Sequence, residues 1–238
     1  MTEVSVIDGV YWLDPEWSLI ERKILQECVD FLMRRGYTYR QITSSLKTDS
    51  YRRQGIFEPD GTPILGDQIA DTPFRLGGSA EQGILESLCG SEVNEPKKIV
   101  ALNTCFRREP AYLGLKSVRE FQKVEQFVCT DKESQFEAFQ ELLDNALDYL
   151  TLLDIENYRV VDTTDTDPGY HEKKYDIEVY TKTYGWLETH SCSMFGTQQA
   201  DRYDITGDCR YTLSNTGIAT PRILVPLMEQ EGIEIPNG

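Results

Sequence analysis

The chain has 238 residues, of which 39% are hydrophobic, so it is long enough for one core or at most two. Its 24 Lys and Arg against 40 Asp and Glu give a net charge of −16 and a pI near 4.6, so the field of the molecule opposes a general nucleic-acid-binding surface without excluding a local basic groove. A mean hydropathy of −0.44 and an N-terminus with neither a basic flank nor an apolar stretch predict a cytoplasmic protein with no membrane partner.

The cysteine pattern argues against a metal cage or a disulfide framework. No two cysteines form a CxxC pair, and the only histidines are His171 and His190. Because free cysteine behaves as a small hydrophobic residue, we expect most of these side chains to be buried, reduced thiols. The six are Cys28, Cys89, Cys105, Cys129, Cys192 and Cys209.

Two long segments have the apolar periodicity of amphipathic helices. The first begins after Asp14-Pro15 and ends at Arg35-Gly36, where a glycine is typical of a helix C-terminus. The second follows Asp131 and carries one apolar stripe from Phe136 to Leu153. Since no low-complexity tract, repeat or Gly/Ser-rich linker interrupts the chain, we expect one domain over residues 1–238, with residues 1–16 as an N-terminal extension.

Between and after these helices the pattern predicts strands. Short turns with Gly or Asp, at 166–169 and 182–185, separate several of them and favour antiparallel pairing. The last apolar segment, Ala219–Gln230, carries Pro221 near its start and predicts a C-terminal helix. The predicted strands are Lys98–Leu102, Cys105–Glu109, Val118–Thr130, Tyr158–Val161, Tyr175–Tyr180 and Gly185–Cys192. The sequence therefore predicts an α+β fold, an antiparallel sheet flanked by helices.

The segment Val118–Thr130 places unusual residues on one face of a strand. Because side chains alternate between faces, Arg119, Phe121, Lys123 and Glu125 share one side. Such a face is not a core face, and an aromatic ring among charges indicates a lined pocket. An edge strand with a solvated face and one incidental phenylalanine explains the same pattern, and the pattern alone leaves both interpretations open.

A second short segment, Phe106–Glu109, repeats this arrangement. Arg107 and Glu109 are two residues apart and share a face. An arginine fork binds phosphate or carboxylate, and a neighbouring glutamate can hold an ammonium or an exocyclic amine. Further along the chain stand a carboxylate, hydroxyls, an amide and a cation that precedes the predicted C-terminal helix: Glu188, Ser191, Asn215, Thr216 and Arg222.

Six segments, taken together and in order, resemble the signature motifs of class II aminoacyl-tRNA synthetases, most closely the bacterial-type seryl-tRNA synthetases. They are Gly78–Glu81, Phe106–Glu109, Phe121–Gln126, Tyr175–Tyr180, Leu187–Ser193 and Thr216–Arg222. The resemblance extends from Trp17 to the predicted C-terminal helix. It implies an antiparallel sheet that holds ATP in a bent form, helices around it, and a homodimer built through the first motif.

For ATP, the resemblance implies a role for each of four residues. Arg107 would hold the α-phosphate and the amino-acid carboxylate, and would stabilise the charge that develops as the carboxylate attacks phosphorus. Glu109 would bind the adenine amino group. Phe121 and Arg222 would stack on the two sides of the ring, and Arg222, the second catalytic arginine, would also reach the γ-phosphate.

The resemblance also implies a Mg²⁺ site and shows one departure beside it. Glu188 and Ser191 match the position that binds the catalytic Mg²⁺, a cation that prefers oxygen ligands. A family arginine that contacts the γ-phosphate falls on Ser117. Arg119 or Lys116 would have to substitute for that arginine, and we assign Arg119 to the ATP-binding set.

For the amino acid, the resemblance implies a small polar substrate. Ser79, Glu81 and Glu125 would fix its ammonium, and Glu125 with Thr216 would read a side-chain hydroxyl. Two buried acids around one ammonium make sense only if that cation offsets their desolvation. The expected amino-acid-binding set is Ser79, Glu81, Arg107, Glu125, Asn215 and Thr216.

Other departures concern the acceptor and the dimer. The first catalytic helix begins near Trp17, so we do not expect the long tRNA-gripping helical arm of seryl-tRNA synthetases. The loop in the second motif, 110–113, is short, whereas in the family it is longer and touches the acceptor end of tRNA. The first-motif proline falls near Thr43, and Ser79 replaces a family threonine.

These features predict an adenylate-forming aminoacyl ligase that uses ATP and Mg²⁺. We expect it to activate serine, with alanine, glycine or threonine as alternatives, and to pass the aminoacyl group to a small molecule, a nucleoside or a carrier protein. Because of the acidic charge and the missing arm, tRNA is not expected as the partner. Two alternatives remain open: an arm-less seryl-tRNA synthetase that charges tRNA with the help of a partner, and a non-catalytic ligand-binding regulator derived from a synthetase.

Overall fold

A seven-stranded sheet forms the centre of the computed structural model, which describes residues 4–55, 67–109, 111–167 and 169–236. Its strands are β3 (Thr38–Tyr39), β6 (Lys97–Phe106), β7 (Glu120–Thr130), β8 (Tyr158–Asp162), β9 (Lys173–Thr181), β10 (Gly185–Gly196) and β11 (Tyr211–Thr220). The spatial order is β3-β6-β7-β11-β10-β9-β8, and every neighbouring pair is antiparallel except β3 with β6. The predicted antiparallel sheet with flanking helices is confirmed.

Two further pairs of strands and six helices complete the described part of the chain. One pair is a hairpin of β1 (Ser5–Ile7) and β2 (Val10–Trp12). The other is an antiparallel pair of β4 (Ser45–Lys47) and β5 (Phe74–Leu76), which α2 separates along the chain. The helices are α1 (Pro15–Arg34), α2 (Thr48–Gln54), α3 (Ala80–Leu88), α4 (Gln135–Leu152), α5 (Gln198–Arg202) and α6 (Leu224–Gln230). A single 3₁₀ turn, Gly114–Lys116, precedes β7.

Helix α1 forms where its capping residues predict it. The Asp14 carboxylate accepts a hydrogen bond from the Trp17 backbone N–H at 2.9 Å, and Pro15 occupies the first helical position, where its missing N–H costs nothing. The helix ends at Arg34, before Gly36 with a φ of +90°. Its buried face, which includes Cys28 and Leu32, packs against the sheet.

The two faces of the sheet pack on different helices. On one face, Val124 and Val128 of β7 belong to the main core with α1 and α4. On the other face, Ile99 of β6 and Phe127 of β7 belong to a second core with α3. Because side chains alternate along β7, Glu125 lies on the face of the sheet that packs against α3, beyond the edge of the second core.

Strand β7 lies inside the sheet, between β6 and β11, so the edge-strand interpretation of this segment is wrong. Its ladder begins at Glu120, opposite Phe106. Residues 107–109 and 118–119, which the sequence predicted as strand, therefore lie outside β6 and β7. They belong to the connection between the end of β6 and the start of β7.

The predicted C-terminal helix begins later than expected, at Leu224 instead of Ala219. Ala219 and Thr220 are the last residues of β11, where they pair with Lys123 and Gln122 of β7. Strand pairing with β7 therefore outweighs the helical propensity of these residues.

The cysteine prediction is confirmed. All six cysteines are described, none is in a disulfide, and five are buried, Cys89 being the partly exposed one. Among the described residues no helix is long and apolar enough to cross a membrane, and no group of three or more His, Cys, Asp or Glu side chains is arranged to hold a metal ion.

Candidate active site

A cavity that is open to solvent lies between the segment after β6 and the ends of β10 and β11. It brings together most of the residues that the sequence assigns to ATP, and Thr216 of the amino-acid set. The assigned residues that line it are Arg107, Glu109, Phe121, Glu188, Ser191, Thr216 and Arg222. Lys116, Ser117 and Lys123 line it as well.

Two arginines in this cavity offer positive charge to an anion. The Arg107 guanidinium carbon lies 5.1 Å from the centre of the Phe121 ring, and its Nε is buried with no hydrogen-bond partner. A buried donor without a partner costs free energy that a bound oxygen anion would recover. Arg107 is therefore placed to receive a phosphate or carboxylate oxygen.

Arg222 is held by backbone carbonyls on either side of the cavity. Its Nε donates to the Lys116 carbonyl at 3.0 Å and its Nη1 donates to the Glu188 carbonyl at 2.8 Å. Burial lowers the pKa of Arg222, an effect that the Glu188 carboxylate opposes and that Arg107 reinforces. These contacts fix the guanidinium at the start of the turn that leads into α6.

Beside this cavity, the N-terminus of α3 meets the middle of β7. Ser79 is the N-cap of α3: its Oγ accepts from the Glu81 N–H at 3.3 Å and donates to the Glu125 Oε2 at 3.1 Å. The Glu125 side chain is only 1% exposed, and Lys123 Nζ lies 2.6 Å from the same Oε2. Thr216 lies directly opposite Glu125 in the β7–β11 ladder. Three of the expected amino-acid-binding residues thus form one polar group.

Glu81 adds a second carboxylate to this region. Its two oxygens accept hydrogen bonds from Ser214 Oγ at 2.5 Å and from Gln199 Nε2 at 2.9 Å. Burial first, and the Glu125 carboxylate second, raise the pKa of Glu81 to about 6, although these hydrogen bonds and the Lys123 ammonium oppose the rise. The position therefore favours a cation close to both carboxylates.

The residues expected to hold Mg²⁺ form an oxygen donor set. Glu188 and Ser191 both line the cavity. Asp176 of β9 lies opposite Ser191 in the β9–β10 ladder, is 8% exposed, and has a buried Oδ1 without a hydrogen-bond partner. Two side-chain oxygen donors fit the way Mg²⁺ is usually held, by one or two carboxylates together with substrate phosphates.

Two of the sequence assignments do not fit this geometry. Asn215 is fully buried on the opposite face of β11, where its Nδ2 donates to the Leu142 carbonyl of α4 at 2.7 Å, so it is not placed to bind the amino acid. Arg119 does not line the cavity; its Nε donates to the Asp8 carbonyl at 2.7 Å and its guanidinium lies 4.2 Å from the Tyr112 ring centre. Lys116, which does line the cavity, is the better substitute for the arginine missing at Ser117.

Sequence reasoning missed three residues of the site and left Lys123 without a role. Ser214 and Gln199 bind Glu81, and Asp176 stands beside the Mg²⁺ position. The signal for Ser214 was available, because it is two residues before Thr216 and shares its face of a strand. The sequence analysis predicted no strand over Ser214–Gly217, and without a strand this alternation is not visible.

Two β-bulges shape the strands that carry these residues. The register shifts between Glu188 and His190 in β10 and between Thr216 and Ile218 in β11. His190 joins the two bulges, because its Nε2 lies 3.2 Å from the Gly217 carbonyl and its Nδ1 lies 2.8 Å from Thr189 Oγ1. Burial lowers the pKa of His190 to about 4, so the ring is neutral at pH 7 and acts here as a connector.

The fold and the site together are those of a class II aminoacyl-tRNA synthetase catalytic core. The family described as the tRNA synthetase class II core domain (G, H, P, S and T) matches residues 71–230, and the chain belongs to this family.

Within it, the chain is similar to seryl-tRNA synthetases. It is 35% identical to the serine–tRNA ligase of Deinococcus radiodurans over 92% of this chain and 55% of the relative, and 30% identical to that of Thermoplasma volcanium over 95% and 55%. The seryl-tRNA synthetase of Pyrococcus horikoshii, solved in complex with ATP, superposes with a TM-score of 0.85 at 26% identity, over 96% of this chain and 56% of that one. The chain thus spans about half the length of the relatives it matches.

These comparisons correct one expectation. The sequence argued from net charge and missing segments that tRNA is not a partner, but the relatives that match nearly the whole chain are serine–tRNA ligases. The net charge of −16 describes the average over the whole molecule and does not exclude a local basic surface. The expectation that tRNA is not a partner is therefore wrong.

Proposed function

We propose that this chain activates serine with ATP to form seryl-adenylate and transfers the seryl group to tRNA. The observation that carries the proposal is the single cavity in which Arg107, Phe121 and Arg222 meet Glu188 and Ser191, next to the polar group around Glu125. Fixed cations suit a triphosphate, and fixed anions suit the nitrogen of an amino acid. The similarity to serine–tRNA ligases supports the same substrates.

In the first step, a serine carboxylate oxygen attacks the α-phosphorus of ATP. A new P–O bond forms, the bond to the bridging oxygen of the β-phosphate breaks, and pyrophosphate leaves. Arg107 stabilises the negative charge that develops on the α-phosphoryl oxygens, with Arg222 on the leaving phosphates. Glu109 and Phe121 orient the adenine ring, and this positioning lowers the entropic cost of the reaction.

The serine is oriented by the α3 and β7 residues. Glu81 and Glu125 hold the ammonium, and Thr216 with Glu125 binds the side-chain hydroxyl. A site built to hydrogen-bond a hydroxyl strongly rejects an analogue that lacks it, because its buried polar groups are then unpaired. Serine is therefore favoured over alanine and glycine.

We assign the Mg²⁺ to Glu188 and Ser191. When bound, the ion supplies Lewis-acid polarisation of the phosphates and neutralises part of their charge. Glu188 lies in β10 immediately before the bulge. Its carboxylate would bind the ion, and its backbone carbonyl accepts a hydrogen bond from Arg222.

The acceptor end of tRNA has a candidate entrance beside Glu109. A second cavity lies between the β1–β2 hairpin and the segments 107–109 and 111–119, and Glu109 lines both cavities. Arg108 and Arg119 line this second cavity and are exposed. They are a local source of positive charge for phosphates on an otherwise acidic protein.

Amino-acid-dependent exchange of pyrophosphate into ATP tests the first step. The parent protein should exchange with serine and not with alanine or glycine, and Arg107→Ala should lower the rate by about 10²-fold or more, since it removes a partner of transition-state charge. No exchange with any common amino acid would leave the chain as a ligand-binding regulator. Transfer of labelled serine to total tRNA tests the second step.

A further inference from the structure

Lys123 places a protein cation inside the amino-acid site. Its Nζ lies 2.6 Å from Glu125 Oε2 and 3.4 Å from Ser79 Oγ, and its side chain is only 11% exposed. Lys123 and Glu125 are two residues apart on β7 and therefore share a face of the strand. Lys123 also lines the main cavity, so this ion pair adjoins the space that a substrate would fill.

A charge count around this pair limits what the site can hold. Glu81 and Glu125 supply two negative charges and Lys123 supplies one positive charge, so a single further cation makes the group neutral. The α-ammonium of one amino acid is that cation. A second substrate ammonium would leave an uncompensated positive charge in a buried site, where such a charge is costly.

The position of Lys123 also decides what Glu125 can bind. With Lys123 and Ser79 on Oε2, the Glu125 carboxylate is already charge-compensated when substrate arrives. A compensated carboxylate still accepts a hydrogen bond from a hydroxyl. Once it shares the single α-ammonium with Glu81, its attraction for a second amine at the side-chain end of the site is reduced. We propose that Lys123 is a specificity-determining residue, which makes the side-chain end of the site accept a neutral hydroxyl and reject an ammonium.

This inference rests on the proposed activation of serine and adds to it. A residue that only stabilised the sheet would affect all amino acids alike when it is replaced. A residue that sets the charge of the site would change the choice between serine and 2,3-diaminopropionate, which carries an amine where serine carries its hydroxyl. Specificity of this kind depends on the repulsive element as much as on the attractive one.

The experiment measures pyrophosphate exchange with serine and with 2,3-diaminopropionate for the parent, Lys123→Met, Lys123→Gln and Lys123→Arg. In the parent, kcat/KM should favour serine by at least about tenfold. In both neutral variants the ratio of 2,3-diaminopropionate to serine should rise by about tenfold or more, whereas Lys123→Arg should keep the parent ratio. Lys116→Met is the matched control: it removes a cation from the same cavity, and it should lower both rates without changing their ratio.

The outcomes separate this inference from the proposed function. No exchange with serine by the parent overturns the proposed function, and calorimetric titration with the two amino acids then still measures the preference. A parent that uses both amino acids equally overturns the inference, even if no Lys123 variant folds. An unchanged ratio in a folded Lys123→Met or Lys123→Gln protein overturns it as well.

Discussion

Thr216 and Asn215 are adjacent in the chain but face opposite sides of the sheet. Thr216 lines the cavity, and Asn215 binds the Leu142 carbonyl of α4. The sequence assigned both to the amino acid, because a motif match fixes positions along the chain and not the direction of each side chain. Ser214, which the match did not assign, binds Glu81 from the face that Thr216 shares. Once this segment is recognised as a strand, the alternation of side chains places Ser214 and Thr216 on the face of the site and Asn215 on the opposite face.

Replacing Thr216 tests this assignment. Thr216→Val keeps the shape of the side chain but removes one hydrogen-bonding hydroxyl, so the preference for serine over alanine in pyrophosphate exchange should fall by about tenfold. Asn215→Ala serves as the control, since it should lower the free energy of unfolding without altering that preference. Equal effects of both substitutions on the preference would contradict the assignment.

The raised pKa of Glu81 leads to a prediction about the pH dependence of serine binding. Its pKa is raised to about 6, so the carboxylate is ionised above that pH and protonated below it. In the proposed function the ionised Glu81 carboxylate holds the ammonium of serine. The affinity for serine should therefore be constant from about one pH unit above this pKa upward, and it should fall as the pH falls through the pKa. Calorimetric titration from pH 5 to 8 measures this. In Glu81→Gln the affinity should be lower throughout, and the decrease below pH 6 should be absent.

At the scale of elements, the long helices were predictable and the short elements were not. Helix α1 has its own caps and a continuous apolar face, and α4 has a continuous apolar stripe. Elements such as α2, α3 and the two short strand pairs, β1–β2 and β4–β5, have too few residues to show a hydrophobic period. Strand β11 carries polar residues toward the site, and it was missed because its stability comes from its two neighbours in the sheet.

His190, which connects the two bulges, leads to a prediction about how stability depends on pH. Its pKa is lowered from 6.5 to about 4, so the native protein binds fewer protons than the unfolded chain between these values. Stability should therefore rise as the pH rises from 4 to 6.5, with a contribution of at most about 3 kcal/mol from this residue.

Urea unfolding of the parent and of His190→Asn at a series of pH values measures this contribution. The difference in the free energy of unfolding between the two proteins should grow from pH 4 to pH 6.5 and then stay constant. The raised pKa of Glu81 gives the opposite slope between about 4.5 and 6, but Glu81 is present in both proteins and cancels in the difference. A difference that is independent of pH would show that the His190 ring is not held neutral by burial.

At the scale of the whole molecule, the net charge and the local charge lead to opposite expectations about the acceptor. A total of −16 led to the expectation of a non-tRNA acceptor, yet the cavities beside Glu109 are lined by Arg107, Arg108, Arg119 and Arg222. The composition gives only the total charge, and it cannot show that four cations lie close together in one region. The order of the motifs predicted the family, whereas the acceptor could not be predicted from composition.

The proposed transfer to tRNA leads to a prediction for Arg108. Arg108→Ala should lower the rate of transfer of serine to tRNA by a larger factor than it lowers pyrophosphate exchange, because Arg108 lines the second cavity and not the main one. Parallel assays of the two half-reactions on the same preparation measure the factors. Equal losses in both would place Arg108 in the activation site.

The most direct test of the whole account is a crystal structure with a non-hydrolysable sulfamoyl analogue of seryl-adenylate. The adenine ring should lie beside Glu109 and Phe121, the sulfamoyl group at Arg107, and the serine ammonium between Glu81 and Glu125. An analogue bound outside this cavity, or with its serine end turned away from the two carboxylates, would contradict the account.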